Sequence, residues 1–286
     1  LMELSCKYQA RLNEGMKVAY SGVEGAFGYI AAKKLFPDAN LIAFANFDDA
    51  YNAVEKGEMD AAVLPVENSY AGEVENVMDL MFSGSLYVNK LMDFDIVQNL
   101  LSVKGATPDS IKTVISHPQA LFQCDEFIKS HGYETEACSN TAVAAKLVQE
   151  KKDKTLAAVA SDETAKLYGL EIIAPNINTA KNNTTRFAVF SRVKNEPVKA
   201  AKKADKHFII MFTVKNQAGS LAQTLNIIGA HNFNMRNLRS RPMKNLMWKY
   251  YFYIEAEGDI NTENGREMLQ ELSAVCANLK LVGSYN

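Results

Sequence analysis

Before residue 193 the chain runs twice through a strand-then-helix alternation, and nothing else in the sequence limits its folding so tightly. Residues 17–21 read as a strand, and 25–36 as a helix stopped at Pro37, whose ring cannot continue it. Residues 41–44 and 47–56 repeat the order, Gly57 closes the second helix, and 60–66 form an apolar run of the buried-strand type. A helix at 73–82 and a strand-rich stretch at 86–103 lead to a second series that starts at 111–115. There 117–130 read as a helix, 133–138 as a strand, 141–150 as a helix, 156–160 as a buried strand running into a helix at 162–168, and 185–191 as a closing strand. Buried strands that alternate with helices must lie parallel beneath them. Two such series predict two α/β lobes, with a small-molecule cleft at the carboxyl ends of their sheets.

At 193–206 the composition turns to Lys, Ala, Pro and Glu with little apolar periodicity, as in an exposed connection between domains. Beyond it come a strand (207–214), a helix (220–230), strands (233–240 and 248–257), a helix (262–277) and a strand (279–284). That is the βαββαβ ferredoxin-like order. Lys plus Arg against Asp plus Glu is 31 − 33 = −2, so no overall cationic field favours a nucleic acid. The uncharged stretch 216–235 is broken by Asn, Gln, Gly and His, and predicts no membrane span. Cys6, Cys124, Cys138 and Cys276 are widely separated, which fits free thiols in a reducing compartment, and the N-terminus carries no apolar export segment. The cytoplasm is the expected location.

His117, His131, His207 and His231 are scattered without ligand spacing, so no metal is expected. Gly22, Gly25 and Gly28 come after the first strand without a nucleotide fingerprint, and imply a tight turn whose amides can face an anion. Three polar clusters each close or open a strand. Pro65-Val66-Glu67-Asn68-Ser69-Tyr70-Ala71-Gly72 sets a carboxylate, an amide and a hydroxyl in succession. In Ser116-His117-Pro118-Gln119-Ala120-Leu121-Phe122-Gln123-Cys124, Ser116 can cap the helix and Gln123 can reach back along one face. Asn183-Thr184-Thr185-Arg186-Phe187 places a hydroxyl and a guanidinium side by side on a strand, pointing in opposite directions. Taken singly, these are a loop, a cap and a surface charge.

Their order and spacing, with Asn140-Thr141-Ala142 and Tyr168-Gly169-Leu170 between them, resemble the prephenate dehydratase family over residues 16–192. The Ser-His-Pro-Gln…Gln-Cys and Asn-x-Thr-Arg-Phe strings are the most diagnostic. The turn Gly22-Val23-Glu24-Gly25-Ala26-Phe27-Gly28 departs from the commoner Gly-Pro-x-Gly-Thr-Phe-Ser form toward an arogenate-dehydratase-like one, and Gly28 lacks the hydroxyl often found there. Past the connection, Ala218-Gly219-Ser220-Leu221 and Arg239-Ser240-Arg241-Pro242 resemble the two ligand motifs of an ACT regulatory domain, with Arg239 where Glu is usual. Residues 1–13 read as an amphipathic helix with Ser5 and Gln9 one turn apart, similar to the last helix of an all-helical chorismate mutase.

The resemblance implies an α/β fold: a two-lobed, periplasmic-binding-protein-like catalytic domain followed by a ferredoxin-like ACT domain. Its divisions would be 1–15 (helix or mutase remnant), 16–192 (lobe 1 at about 16–95 and 175–192, lobe 2 at about 96–174), 193–206 (linker) and 207–286 (ACT). It implies decarboxylating dehydration of prephenate to phenylpyruvate, in phenylalanine biosynthesis, without cofactor. Thr185 would donate to the departing ring hydroxyl, with Asn68, Ser116 and Gln123 positioning it. Glu67, Ser69, Arg186, Phe187, Asn140 and Thr141 would surround the substrate, Arg186 on the pyruvyl carboxylate or in a structural role. L-Phenylalanine would bind as effector at Ala218, Gly219, Ser220, Leu221, Asn237, Leu238, Arg239 and Ser240, in a homodimer or homotetramer. The alternatives are an arogenate dehydratase, and a non-catalytic sensor or solute-binding protein of the same two-lobed build.

Overall fold

The computed structural model describes residues 15–180, 182–194, 206–244 and 249–286. The segment with Ser5 and Gln9, and residues 195–205 of the connection, lie outside them. The chain forms two compact units, Leu1–Glu75 with Met92–Phe187 and Asn76–Leu91 with Ala188–Asn286. Residues 76–91, expected in the first domain, group with the C-terminal sheet.

In the first unit, β1 (Lys17–Ser21) is followed by α1 (Phe27–Leu35), β2 (Asn40–Phe44), α2 (Phe47–Glu55), β3 (Ala61–Asn68) and a two-residue β4 (Gly72–Glu73). Both β2 and β3 pair with β1 in parallel, Val18 lying opposite Leu41 on one side and Ala61 on the other. The apolar start of β3, from Ala61 to Leu64, is buried throughout, as a strand covered on both faces must be. Asn46 caps α2 by accepting from the Asp49 N–H at 2.8 Å, and the buried stripe Ala50, Tyr51, Ala53 and Val54 lies against the sheet. The N-terminal half of β11 (Thr184–Ser191) lies beside β3.

The second lobe of this unit is a sheet in the order β10-β6-β9-β7-β8, where β6 is Asn99–Ser102, β7 Thr113–Ser116, β8 Glu134–Ala137, β9 Leu156–Ala160 and β10 Glu171–Ala174. Strand β10 was not expected from the sequence. The helix expected at 117–130 is two, α4 (Pro118–Gln123) and α5 (Asp125–Ser130), because Cys124 leaves helical geometry at φ −117°, ψ 15°. After them come α6 (Thr141–Lys151), capped by the Asn140 side chain, and α7 (Asp162–Tyr168), capped by Ser161. The lobes meet where the Thr164 hydroxyl donates to the Gly25 carbonyl at 2.7 Å and the Tyr168 hydroxyl to that of Glu24 at 3.2 Å. Gly25 has φ +87°, a left-handed conformation that favours glycine, whereas the nearest atom to a Cβ there, Leu167 Cδ2 at 2.9 Å, ends an exposed side chain that could move aside.

The second unit contains β12 (His207–Thr213), α8 (Ser220–Ala230), β13 (Asn234–Pro242), β14 (Tyr250–Glu257), α9 (Glu263–Val275) and β15 (Ala277–Tyr285), the expected βαββαβ order. Its sheet runs β13-β14-β12-β15, with Phe208, Ile210, Phe212 and Ile254 of the sheet fully buried in one cluster with Met268 and Leu272 of α9. Helix α3 (Glu75–Ser83) belongs here because Phe82 stacks on Tyr251 at 4.4 Å and 7°, while the Tyr251 hydroxyl donates to Asp79 at 2.8 Å. Lys244 Nζ lies 2.8 Å from the same carboxylate. Strand β5 (Tyr87–Asp95) then pairs with β15, Gly283 opposite Val88, in an approach too close for any side chain at 283.

Candidate active site

A cleft of about 370 Å³ opens in the first unit, within the size range of small-ligand sites. One wall is the first turn and its continuation into α1, with Ser21, Gly22, Ala26, Phe27 and Gly28, joined by Ala45, Phe47 and Pro65. The other is the second lobe, contributing His117, Gln119, Ala120 and Gln123 of the α4 region, and Ser139, Asn140 and Thr141 at the start of α6. Between them lie Asn68, Thr185 and Phe187, with Ile96 and Gln98 from the β5–β6 turn. None of these residues is Lys, Arg, Asp or Glu. Negative charge would meet neutral donors and two helix N-termini: that of α6, and that of α1, whose N-cap Ala26 supplies no side-chain bond to the first-turn amides.

Asn68, 7% exposed at the end of β3, organises the middle of the cleft. Its Oδ1 accepts from the N–H groups of Tyr70 at 3.0 Å and Ala71 at 2.8 Å, which fixes the amide's orientation. Its Nδ2 therefore donates, to Asn183 Oδ1 at 2.9 Å, the Thr184 carbonyl at 3.2 Å and Thr185 Oγ1 at 2.8 Å. Because the Thr185 oxygen is held as an acceptor, its own hydrogen is left to point elsewhere. No described group accepts that hydrogen, and Thr185 lines the cleft. One hydroxyl donor is thereby left facing the space between the lobes.

The other residues expected in the site divide. Gln123, Asn140, Thr141 and Phe187 line the cleft with Asn68 and Thr185. Ser116 does not: it ends β7 fully buried and donates to the Val159 carbonyl at 2.7 Å. The α4 cap is His117 instead, whose Nδ1 accepts from the Gln119 N–H at 3.2 Å, since Pro118 at the first helical position sets the cap one residue later. Arg186 also turns away, as neighbours on a strand must. Its guanidinium pairs with Asp93, Nε at 2.8 Å and Nη2 at 3.3 Å. Glu67 alternates to the face opposite Asn68, and the Ser69 hydroxyl closes the loop by donating to the Asn182 carbonyl and accepting from the Thr184 N–H, both at 2.9 Å.

Gln98, His117 and Gln119 line the cleft although sequence reasoning gave them no role. A signal existed for His117, which stands inside the motif and whose pKa burial holds below the ordinary histidine value. With Nδ1 accepting, the neutral ring carries its proton on Nε2. For Gln98 no local signal exists, because its place depends on Asn178, whose Oδ1 accepts from its N–H at 2.7 Å across eighty positions of sequence.

In the second unit, Gly219 precedes α8 in the left-handed region at φ +84°, and Leu221 lines a cavity of about 570 Å³ with Lys215, Asn216, Gln217, Met243, Tyr250 and Phe252. Ala218, Gly219 and Ser220 do not themselves line that cavity, but Gln217 and Leu221 on either side of them do. Asn237, Leu238, Arg239 and Ser240 lie on β13, separated from β12 by β14. There Arg239 Nε donates to Asn237 Oδ1 at 3.0 Å and its guanidinium sits 5.9 Å from the Tyr253 ring. None of these four β13 residues lines that cavity, although Ser240 pairs across the strands with Phe252, which does.

A two-lobed cleft lined by uncharged donors, in a chain that also carries a ferredoxin-like domain, is the build of a protein that takes a small molecule between its lobes. The prephenate dehydratase family profile matches residues 18–195 and the ACT domain profile residues 208–274. The chain belongs to the prephenate dehydratase family, whose members are carbon–oxygen lyases. It is 34% identical to a prephenate dehydratase of Methanocaldococcus jannaschii, covering 94% of this chain and 97% of that one. It is 32% identical to the chloroplastic arogenate dehydratase/prephenate dehydratase 2 of Arabidopsis thaliana, over 94% of this chain and 72% of the relative. Among solved structures, one described as GqqA, a novel type of quorum quenching acylase, superposes with a TM-score of 0.84 at 28% identity, covering 94% and 97% of the two chains. The prephenate dehydratase of Arthrobacter aurescens, solved with L-Phe, superposes at 0.85 and 24% identity, covering 94% and 89%.

Proposed function

We propose that the chain converts prephenate to phenylpyruvate, carbon dioxide and water, in the cytoplasm. The C1–carboxylate bond breaks to release carbon dioxide, its electron pair enters the ring, the double bonds shift, and the C4–oxygen bond breaks as the ring becomes aromatic. The departing oxygen leaves as hydroxide and takes one proton to become water. The observation that carries this reading is the orientation of Thr185: Asn68 occupies the hydroxyl oxygen, so its hydrogen is the one aimed at a leaving group. A threonine hydroxyl is too weak an acid to be ionised near neutrality, so it acts as a positioned donor, transfers its proton late in C–O cleavage and recovers one from solvent. Gln123, Asn140, Thr141 and the α1 and α6 amides hold the carboxylates. Arg186, bound to Asp93, supports β11 rather than the substrate.

Arogenate carries the same ring with an amine in place of the ketone, and the name of the Arabidopsis relative makes it the second reading. An acylase chemistry has less support, because it requires a base to activate a nucleophile. Among the described residues His117 is the one imidazole lining the cleft, and its Nδ1 lone pair is taken by the Gln119 N–H. Incubating the chain with prephenate, and separately with arogenate, while following aromatic product by ultraviolet absorbance tests the reading. No product from prephenate overturns it.

L-Phenylalanine is the proposed effector, supported by the ACT match and by the cavity beside Leu221. Since 237–240 do not line the cavity that Leu221 lines, we propose that a second copy completes the site, in a homodimer or a larger homo-oligomer. Calorimetric titration of phenylalanine into the chain and into Gly219→Leu, which forces a side chain onto φ +84°, tests this. Undetectable binding to the unaltered chain defeats it.

A further inference from the structure

Among the described residues, the cleft contains one buried polar atom with nothing to bond. Gln98 is 2% exposed, and its backbone is satisfied at both ends: the N–H by Asn178 and the carbonyl by the Ile177 N–H at 2.9 Å. Its side-chain Nε2 donates to Gln123 Oε1 at a long 3.4 Å, which turns Gln98 Oε1 away from Gln123, and that oxygen has no partner. A buried amide oxygen without a donor is a cost the fold carries until a donor arrives, and few native side chains carry it. Gln98 lines the cleft, where a donor carried by a ligand would satisfy that oxygen.

The chemistry of the proposed substrate narrows what that donor is. With both carboxylates ionised, prephenate offers carboxylate oxygens and a ketone, all acceptors, and a single hydrogen-bond donor, the ring C4 hydroxyl. We propose that Gln98 Oε1 accepts the hydrogen of that hydroxyl while Thr185 donates to a lone pair on the same oxygen. The inference rests on the prephenate reading. Gripped from both sides, the leaving oxygen cannot rotate freely about its C–O bond, and it presents a lone pair to Thr185 as the bond breaks. The oxygen departs keeping its original hydrogen, still hydrogen-bonded to Gln98, gains the Thr185 proton, and leaves as water. Thr185 recovers its proton from solvent, so one proton is taken up per turnover.

Gln98→Met keeps the length and removes the acceptor, whereas Gln98→His restores one through its neutral ring. With prephenate, Gln98→Met should lose ~10- to 100-fold in kcat with KM within about 3-fold, because the bond matters most to the orientation of the leaving group. Its melting temperature should change little, since removing the unpaired Gln98 oxygen offsets the long bond lost at Gln123 Oε1, and Gln98→His should recover part of kcat. A kcat within about twofold of the unaltered chain overturns the proposal. So does a rise in KM alone, which would mean that the amide N–H holds a substrate carboxylate, or a loss confined to arogenate, which would assign the oxygen to the substrate ammonium. If Gln98→Met does not fold, Gln98→His decides: a folded variant with kcat more than about 100-fold down and no gain over Gln98→Leu refutes the acceptor role. An unaltered chain inert toward prephenate instead defeats the functional reading, and the Gln98 role with it.

Discussion

Asn68→Asp exchanges one amide NH₂ for an oxygen of the same size and tests the hydrogen-bond direction on which the mechanism rests. The Oδ1 bonds to Tyr70 and Ala71 survive, but a second carboxylate oxygen now faces Asn183 Oδ1, the Thr184 carbonyl and Thr185 Oγ1 at 2.8 to 3.2 Å. In a site 7% exposed, two lost hydrogen bonds at ~1 kcal/mol each, plus the crowding of acceptors, should cost about 2–3 kcal/mol above neutrality. Burial and the three facing oxygens push the new carboxyl above its usual value of ~3.9. The unfolded chain then releases this proton at lower pH than the folded one, so stability falls as pH rises through the interval and is regained toward acid. The kinetic effect has the same sign. Ionised, the introduced carboxylate draws the Thr185 hydrogen to itself, and kcat should drop at least ~10²-fold, about 2.7 kcal/mol of barrier. Protonated, it donates to Thr185 as asparagine does, and activity should climb back. The measurement is the kcat ratio of variant to unaltered chain from about pH 5 to 9, with melting curves at each pH. A ratio near one, or a low ratio that does not change with pH, refutes the direction assigned to the Asn68–Thr185 bond.

Thr185→Val, nearly isosteric, removes a hydroxyl that accepts one bond from Asn68 and donates to no described group of the protein, so stability should fall by no more than ~1 kcal/mol while kcat falls by ~10² or more and Thr185→Ser retains a measurable rate; equal loss of stability and rate would make Thr185 structural. Gly28→Ala sets a Cβ 2.7 Å from the Ser21 carbonyl, so the first turn must shift; we expect a rise in KM and a lower melting temperature, and a neutral result would show that α1 moves without disturbing the cleft. Asp79→Ala strips the Tyr251 hydroxyl and Lys244 of a shared partner and should cost ~1–3 kcal/mol in thermal melts, with basal kcat nearly unchanged; an equal fall in kcat would show that α3 sets the cleft geometry.

Strand β1 is fully legible because Lys17–Ser21 is a short β-branched and aromatic run between a charged start and a glycine turn, and nothing outside it contradicts that. Strand β10 is not: Glu171–Ala174 is four residues, half of them exposed, and it is a strand only because β6 offers an antiparallel edge. The break at Cys124 is equally silent, since neither Gly nor Pro marks it and the residue's N–H still bonds to Leu121 and Phe122 carbonyls. In the site, Asn68 and Thr185 could be picked out as polar residues at strand ends. Ser116 could not be judged the same way, because the partner that takes its hydroxyl, Val159, comes from a strand 43 positions on. Gln98 was invisible because its significance is a missing bond, and a sequence does not record which buried atoms go unpaired.

The cleft lining carries no charged residue among those described, which bears directly on how a substrate with two negative charges can react there. A cation against the C1 carboxylate would bind the reactant well and lose that interaction as the group leaves as neutral carbon dioxide, raising the barrier by as much as it lowered KM. Amides and hydroxyls bind the ground state less tightly and forfeit less. The one arginine within the catalytic motif could have supplied such a cation, and the fold removes it twice over. Alternation along β11 turns Arg186 away from the face that carries Thr185 and Phe187, and Asp93 then takes up its guanidinium at 2.8 Å. What remains facing the substrate at that point of the strand is a hydroxyl whose hydrogen Asn68 has left free, a donor whose interaction strengthens as the leaving oxygen gains charge. The residue order Thr185-Arg186-Phe187 therefore matters less as a set of ligands than as a way of putting a neutral donor inside and its charged neighbour out.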